Sequence, residues 1–549
     1  MVELKNWQKN VKELKAANVE LPYYDVAHLK AKGKKTPIWL HFGGGNLYRG
    51  FHGEIAQKLA NKQLLEAGVV VCETFDDQVV SKGYRPYHND VLQVVMHENG
   101  KMDQRILAAT ADSIYCQIEN EDGFKQVVSY FKNPALQFVT LTITEKGYRL
   151  KNSDGTFSAI IQKDIEKGPN QVKHTIGLIT ALLYQRYLAG AFPIAMVSTD
   201  NFSQNGQYFL NSVNEIARAW EKKGFVESAF LAYLNDPNQV SFPWSMIDRI
   251  TPNPSKSVQH LLEKAGWREM GIFHTEKQTN IAPFANTEVV HYLVLEDAFP
   301  NGRPALEEAG VILTDRKTVD KVDRMKVTTC LNPLHTVLAI TGCLLGYTSI
   351  SSEMKDPDLV ALINEIGYRE GLSVIENPKI IQPKAFIDEV IQQRLPNPHI
   401  PDTPQRIACD TSQKMAIRFG ETIKKYDEDP SKNVQDLLFI PVAIASWIRY
   451  LLAVDDKGKC FKPSPDPLLS ELQEALKMLR LGEQSMEKIH ASLQPILQNA
   501  TIFGSDLYQV GLAEKIEKIF REMLMGPGAF RQTIHYYVTA GGKEHGNDL

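Results

Sequence analysis

Short apolar runs alternate with segments of helical period through the first half of the chain. Between the first two runs, residues 49–66 repeat apolar side chains at the spacing of one helical face. A strand–helix–strand order that repeats in this way predicts a parallel, doubly wound α/β sheet. The runs are near-continuous, as expected for strands covered on both sheet faces, and they lie at 37–42, 69–72, 137–143 and 193–199.

From about residue 300 the pattern becomes one of successive amphipathic helices with few strand candidates, and Pro-rich joints separate several of them. We place the domain boundary within VLEDAFPNGRP (294–304). The sequence thus predicts an α/β domain over 1–300 and a mostly α-helical domain over 301–549. The predicted helices span 318–340, 382–393, 412–426, 438–453, 466–480, 484–499 and 508–523.

Length, charge and cysteine spacing indicate how many domains the protein has and which partners and compartments are expected. A chain of 549 residues favours two large domains. A net charge of -4 gives no sign of a nucleic-acid or polybasic membrane surface. No cysteine pair has CxxC spacing, the first residues lack an apolar signal core, and the longest apolar stretches are broken by polar residues. We expect a cytoplasmic protein with a small-molecule substrate and no nucleic-acid or membrane partner, and the oligomeric state stays open.

The glycine-rich segment HFGGGNLYRG (41–50) directly follows the first predicted strand and opens a predicted helix. Glycines let the backbone turn tightly and approach a pyrophosphate, and the helix N-terminus offers unpaired N–H groups. The third glycine of the GxGxxG pattern is absent, and Tyr48 occupies its place. A simple tight turn is the alternative to a Rossmann-type dinucleotide site.

Acidic residues at the end of the second predicted strand favour the dinucleotide interpretation. Glu73 and Asp76 are placed to accept hydrogen bonds from the adenosine ribose, and acid there repels a 2′-phosphate. NAD is therefore favoured over NADP, with a solvated loop as the alternative. The predicted cofactor-binding residues are Gly43, Gly44, Gly45, Asn46, Leu47, Glu73 and Asp76.

Reduction of a ketone by hydride needs a proton donor and a group that polarises the carbonyl. No tyrosine begins a Tyr-x-x-x-Lys pair, and the histidines and cysteines form no zinc-ligand pattern, so no metal is expected. The segment 324–342 instead places Lys326, Asn332 and His335 within ten residues on an otherwise apolar stretch. Desolvation of a lysine disfavours its charged form and suits it to proton exchange. A surface lysine, a helix cap and a core histidine are the ordinary alternatives.

Beyond these residues, the chain resembles the polyol-specific long-chain dehydrogenases, the mannitol dehydrogenase family, which includes fructuronate, tagaturonate and mannonate oxidoreductases. The resemblance runs from residue 41 to about 420. It is carried by HFGGGNLYRG, TEKGY (144–148), STDNFSQNG (198–206), FPWSMIDRITP (242–252), VLEDAFPNGRP, KVTTCLNPLH (326–335) and RIACDTSQK (406–414).

The resemblance implies metal-independent NAD chemistry and assigns roles to particular residues. Lys326 would be the general acid/base, with Asn201 and Asn332 stabilising the oxyanion and His335 beside the substrate. It also implies substrate contacts from Asp248, Arg406 and Lys414.

Two departures from the family pattern bear on the chemistry. Five residues separate Lys326 from Asn332, whereas the family usually has four. A π-bulge of one residue would restore the spacing; without it Val327 would take the place of the lysine and the base would be lost. Cys409 stands where polyol members carry a histidine, which disfavours a simple polyol substrate.

A uronate carries one carboxylate that a polyol lacks, and Arg406 and Lys414 are cations that could hold it. The CETFDD and CLNPLHT segments look closer to the uronate-reducing branch of the family. The resemblance therefore favours reduction of D-fructuronate to D-mannonate. Tagaturonate reductase, mannitol 2-dehydrogenase and a catalytically impaired NAD-binding protein are the alternatives.

Overall fold

The apolar runs of the first half become parallel strands of one sheet in the computed structural model, which describes residues 2–152 and 154–541. The six-stranded sheet has the order β6-β3-β2-β7-β8-β9, with all neighbours parallel. The strands are β1 (Val2–Glu3), β2 (Trp39–Phe42), β3 (Val69–Glu73), β4 (Val91–Met96), β5 (Met102–Leu107), β6 (Thr110–Tyr115), β7 (Phe138–Leu141), β8 (Ile194–Ser198), β9 (Val240–Ser241), β10 (Ser245–Asp248), β11 (Trp267–Arg268), β12 (Phe273–His274), β13 (Asn280–Ile281), β14 (Phe284–Glu288), β15 (Tyr292–Glu296) and β16 (Ile312–Thr314).

Side chains of the central strands alternate between two apolar layers. Leu40 and Phe42 of β2 pack into one cluster, whereas Trp39 packs into the cluster on the opposite face. Because both faces are covered, the strands read as continuous apolar runs rather than alternating ones. Helices separate the strands along the chain: α1 (Val11–Ala16), α2 (Val26–Lys35), α3 (Gly53–Asn61), α4 (Glu121–Phe131), α5 (Ala159–Lys167), α6 (Thr175–Leu188), α7 (Asn205–Lys222), α8 (Ser228–Asn235) and α9 (Lys256–Lys264). The predicted doubly wound fold is confirmed.

Smaller sheets complete the first unit. The orders are β14-β4-β5 and β10-β15-β16 for the three-stranded sheets, and β1-β11 and β12-β13 for the pairs. Strand β10 is tied to the end of β8, because the Ser245 hydroxyl donates to the Ser198 carbonyl at 2.6 Å.

The second unit is helical, as predicted. Its helices are α10 (Arg316–Met325), which begins before the boundary, α11 (Asn332–Leu345), α12 (Ile350–Glu353), α13 (Pro357–Asn364), α14 (Pro383–Glu389), α15 (Pro404–Ile407), α16 (Glu421–Glu428), α17 (Phe439–Leu451), α18 (Leu469–Ala475), α19 (Met486–Leu497), α20 (Ala500–Phe503), α21 (Ala513–Met523) and α22 (Ala529–Tyr536). Segments with π-helical bonding occur in both units. They are Tyr48–His52 and Val79–Tyr84 in the first unit, and Lys326–Cys330, Glu365–Gly371, Val390–Arg394, Ala416–Gly420 and Tyr537–Gly541 in the second.

Helix α17 forms the centre of the second unit, since every one of its residues is buried and it packs against α11 and α21. The carboxylate of Glu370 accepts the amides of Leu438, Phe439 and Ile440 at 2.6–2.7 Å at the start of this helix. Burial raises the pKa of Glu370 to about 7, against the effect of these N–H groups. A buried acceptor thus satisfies the first amides of a helix that water does not reach.

The chain divides into units Met1–Asp320 and Lys321–Leu549, about a turn of helix into α10 rather than near residue 300. Residues after 300 stay with the first unit because β16 pairs with β15. The run Arg316–Leu345 is long and apolar enough to cross a membrane by length and composition, but 78% of its most apolar window is buried inside the protein. Burial in a core explains its composition without a membrane.

Candidate active site

The glycine turn after β2 requires its first glycine. Gly43 has φ +109°, and a Cβ there would lie 2.3 Å from the Thr142 carbonyl oxygen. Its amide donates to the Cys72 carbonyl at 2.9 Å. Only glycine can adopt this positive φ and approach the backbone of Thr142, which directly follows β7, so closely.

The remaining turn residues lead into the helix that precedes α3. The Gly44 amide donates to Glu73 Oε2 at 2.8 Å, and its carbonyl accepts the Tyr84 hydroxyl at 2.8 Å. A Cβ at Gly45 would meet nothing within 4 Å. Asn46 and Leu47 are the first helical residues, whose amides have no acceptor within the helix. An open face beside such amides fits a dinucleotide phosphate.

Both predicted ribose acceptors hold the loop after β3. Glu73 Oε1 accepts the amides of Thr74 and Phe75 at 3.0 and 2.8 Å, and burial raises the pKa of this carboxyl. Asp76 Oδ2 accepts the Thr275 hydroxyl at 2.5 Å, from the loop between β12 and β13. Glu73 therefore joins the glycine turn to the neighbouring strand end, a positioning contact that the sequence did not predict.

Asn201 is exposed and follows β8, at the same edge of the six-stranded sheet. The preceding Asp200 accepts the amides of Ile143 and Thr144 at 3.0 and 2.8 Å and the Tyr148 hydroxyl at 2.8 Å. Two segments that the family resemblance singled out, TEKGY and STDNFSQNG, are thus joined through one buried carboxyl, whose pKa burial raises. Asp200 and Tyr148 position the loop that carries Asn201.

Asp248 is the last residue of β10 and is buried. In register it lies opposite Tyr292 of the antiparallel strand β15. It belongs to the first unit, as does Asn201.

The extra residue between Lys326 and Asn332 lies in a π-helical turn, Lys326–Cys330. The Leu331 amide donates to the Lys326 carbonyl at 3.1 Å, a bond across five residues instead of four. The bulge that would restore the spacing between Lys326 and Asn332 is therefore present. The Lys326 side chain is 1% exposed, and its Nζ lies 3.8 Å from Asp323 Oδ1.

The helix is interrupted between this turn and α11. Leu331 has φ -131° and ψ -62°, outside the helical range, and α11 restarts at Asn332. Pro333 explains the break, because proline has no N–H to continue the ladder but is well accommodated in the first turn of a new helix. Asn332 consequently stands at the start of a helix rather than within one, partly exposed.

His335 lies one turn into α11, beside a carboxylate from far along the chain. Its Nε2 is 3.3 Å from Asp402 Oδ2, while Asp402 Oδ1 accepts the Arg406 guanidinium. Burial alone would raise the pKa of the Asp402 carboxyl, but the hydrogen bond and charge of His335, with Arg406, hold it below its ordinary value. Asp402 was not predicted, and nothing in its local sequence distinguishes it from a loop carboxylate.

Two further cations lie near α11. Lys414 Nζ donates to the Cys409 carbonyl at 2.5 Å. Arg418, which was not predicted, donates from Nη1 to the hydroxyl of Thr336. Its only sequence signal is a position four residues after Lys414, one helical turn away.

Comparison with known proteins agrees with the two-unit fold. Residues 37–308 match the mannitol dehydrogenase Rossmann domain, and residues 318–524 match the mannitol dehydrogenase C-terminal domain. The chain is 47% identical to a D-mannonate oxidoreductase of Thermotoga maritima over 96% of its own length and 97% of that protein. It is 26% identical to a D-mannonate oxidoreductase of Escherichia coli, over 74% of this chain and 76% of that one.

Solved structures share the fold at lower identity. A Pseudomonas fluorescens mannitol 2-dehydrogenase, solved as a ternary complex with NAD and D-mannitol, superposes with a TM-score of 0.72 at 23% identity, covering 98% of this chain and all of that one. A substrate-free D-sorbitol dehydrogenase gives 0.76 at 23% identity, covering 94% and 98%. With a glycine turn after β2, a buried lysine in a π-turn and both domain matches, the chain belongs to the mannitol dehydrogenase family of oxidoreductases.

Proposed function

We propose that this protein is an NAD-dependent oxidoreductase that interconverts D-fructuronate and D-mannonate. The observation that carries the proposal is the 47% identity to a D-mannonate oxidoreductase across nearly the whole of both chains. The six cysteines are all free, which suits a reducing compartment, and we place the enzyme in the cytoplasm.

The first unit supplies the residues that would hold NAD. The pyrophosphate would lie against the open face at Gly45 and the amides of Asn46 and Leu47, with Gly43 and Gly44 shaping the turn. Glu73 already accepts four backbone amides, three on Oε1 and one on Oε2, so Oε2 is the atom that would accept from the adenosine ribose. Asp76 accepts one bond on each oxygen and could accept a further one. When bound, NAD accepts or donates the hydride.

Lys326 is the general acid/base of the proposal. In ketone reduction it gives a proton to the carbonyl oxygen as that oxygen becomes an alcohol, and in alcohol oxidation it removes the same proton. Burial of its side chain excludes water from the transfer, and Asp323 is close enough to interact with the charged form.

Asn332 would donate its amide N–H to the developing alkoxide, since it stands at the helix start and is partly exposed. We assign Asn201 the same kind of role, and Asp248 a bond to a substrate hydroxyl. His335, whose Nε2 lies beside Asp402, would bond a substrate oxygen through its imidazole ring.

Lys326→Ala tests this assignment. Turnover of D-fructuronate with NADH should fall on the order of a hundredfold or more, while the Kd of NADH is retained. Lys321→Ala is the matched control, because Lys321 lies on the same helical run and pairs with Glu376. Equal turnover of Lys326→Ala and the control would remove Lys326 from the mechanism.

Initial rates with D-fructuronate, D-tagaturonate and D-fructose, each with NADH and NADPH, test the substrate. The proposal expects the highest kcat/KM for D-fructuronate with NADH. A clear preference for D-fructose would contradict it. NADH binding without turnover of any of the three would favour an impaired NAD-binding protein.

A further inference from the structure

Two cations of the second unit, Lys414 and Arg418, are held by neutral groups rather than by carboxylates in the described part of the chain. Within the described part of the chain, Arg418 makes one hydrogen bond, to the neutral hydroxyl of Thr336, and the amino group of Lys414 donates to a backbone carbonyl. Neither forms an ion pair there. Several arginines of this unit do, such as Arg406 with Asp402 and Arg531 with Asp356 and Asp358. Buried Arg449 forms no ion pair there either, but its donors are satisfied by three backbone carbonyls, whereas Arg418 makes a single bond.

Both cations are partly removed from water, which disfavours their charged forms. Arg418 is only partly exposed, and removal from water lowers the pKa of its guanidinium to about 10. The pKa of Lys414 is lowered by burial first and by the positive charge of Arg418 second, against smaller opposing effects of Asp410, Cys409 and Asp466. Two like charges in a partly buried place favour the binding of an anion that neutralises both.

The position of Arg418 connects it to the candidate catalytic residues. Its π-turn, Ala416–Gly420, packs against the π-turn Lys326–Cys330 and against α11. Thr336, which accepts from Arg418, itself donates to the Asn332 carbonyl at 2.9 Å. The guanidinium is thus anchored one helical turn from Asn332, on the helix that also carries His335.

We propose that Arg418, with Lys414, binds the carboxylate of the sugar-acid substrate and so sets the preference for a uronate over a neutral ketose. The inference rests on the proposed function and names the side chain that makes it specific. A guanidinium holds a carboxylate with paired N–H donors, and the N–H groups of Arg418 not used by Thr336 are available for this. Arg406 has a different task, because it already has a carboxylate partner, Asp402, which lies beside His335.

The test compares two substrates that differ in one group. D-fructose has an alcohol where D-fructuronate has the carboxylate, so only the latter should need Arg418. Arg418→Gln is expected to lower kcat/KM for D-fructuronate by roughly a hundredfold and that for D-fructose by no more than about threefold. Arg418→Lys keeps the charge without the fork and should lose roughly tenfold on D-fructuronate alone.

Lys424→Gln is the matched control, since it removes an exposed cation in the following helix. Thermal unfolding of each variant shows whether the fold is intact, and Arg418→Lys carries the test if Arg418→Gln does not fold. Equal losses on both substrates would assign Arg418 a structural role and overturn the inference, as would a selective loss in Arg406→Gln but not in Arg418→Gln. A wild-type enzyme that prefers D-fructose refutes the proposed function itself, which is a separate outcome.

Discussion

Replacing Glu353 by methionine is expected to stabilise the protein. Glu353 ends the short helix α12 and is fully buried. Neither of its carboxyl oxygens has a hydrogen-bond partner among the residues that the structure describes. One oxygen would lie 2.3 Å from a Cβ added at Gly342, so the carboxyl packs directly on the backbone of α11. A similar-sized apolar side chain fills this space without an unpaired polar group.

The size of the effect follows from the protonation of Glu353. Burial, with the charge of Asp356 as a smaller cause, raises the pKa of Glu353 from 4.5 to about 9. The folded protein holds the carboxyl neutral at pH 7, whereas the unfolded chain ionises it. Since one pKa unit corresponds to about 1.4 kcal/mol, this difference costs about 3 kcal/mol at pH 7.

The pKa of Glu353 is higher in the folded protein than in the unfolded chain, and this decides how the free energy of unfolding changes with pH. The neutral carboxyl's contribution is fully present below pH 4.5 and is lost as the pH rises toward 9. The advantage of Glu353→Met over wild type should therefore grow by about 4 kcal/mol between pH 5.5 and 8.5. Denaturant unfolding at pH 5.5, 7 and 8.5 measures it, with the exposed Glu428→Met as control. A stability difference that is constant with pH would refute the reasoning.

Two perturbations of the first unit complete the predictions. Gly43→Ala should weaken NADH binding at least tenfold in a fluorescence titration, because its Cβ cannot coexist with the Thr142 carbonyl at 2.3 Å; unchanged affinity would show that the turn is not the phosphate site. Glu54→Gln should lower the free energy of unfolding by about 3–5 kcal/mol at pH 7, since it leaves buried Arg249 without its carboxylate and weakens the contact with Arg105. Although burial raises it, these cations hold the pKa of Glu54 well below its ordinary range, so its contribution is present above about pH 4.5 and lost as the pH falls. A loss in Glu54→Gln that is as large at pH 2 as at pH 7 would contradict this account.

Local pattern determined the strands and the glycine turn. The runs at 37–42 and 69–72 predicted neighbouring parallel strands, and they are β2 and β3. Continuous apolar sequence of strand length is a local property that does not depend on which helices cover it. Gly43 could be singled out for the same reason, since its position after a strand and before a helix is visible in the sequence.

The bulge at Lys326 was also within reach of the sequence. Between Lys326 and Asn332 the sequence has one residue more than is usual in the family, and Pro333 indicates where a new helix has to begin. The structure supplied the form of the solution, a π-turn closed by the Leu331 amide. Helix ends and π-turns depend on which backbone groups find partners, and periodicity alone does not decide this.

Side-chain partnerships were decided by the tertiary structure. Asp402 meets His335 across a long stretch of chain, and Arg418 meets Thr336 in the same way. The sequence assigned Glu73 to a ribose, and the fold also engages it with the Gly44 amide. By itself the sequence determined the strand and helix pattern and the family, and it singled out Lys326 as the candidate acid/base, because these depend on local periodicity and short motifs. Which charges are neutralised and which remain for a substrate depends on distances between remote segments, and only the folded chain sets those.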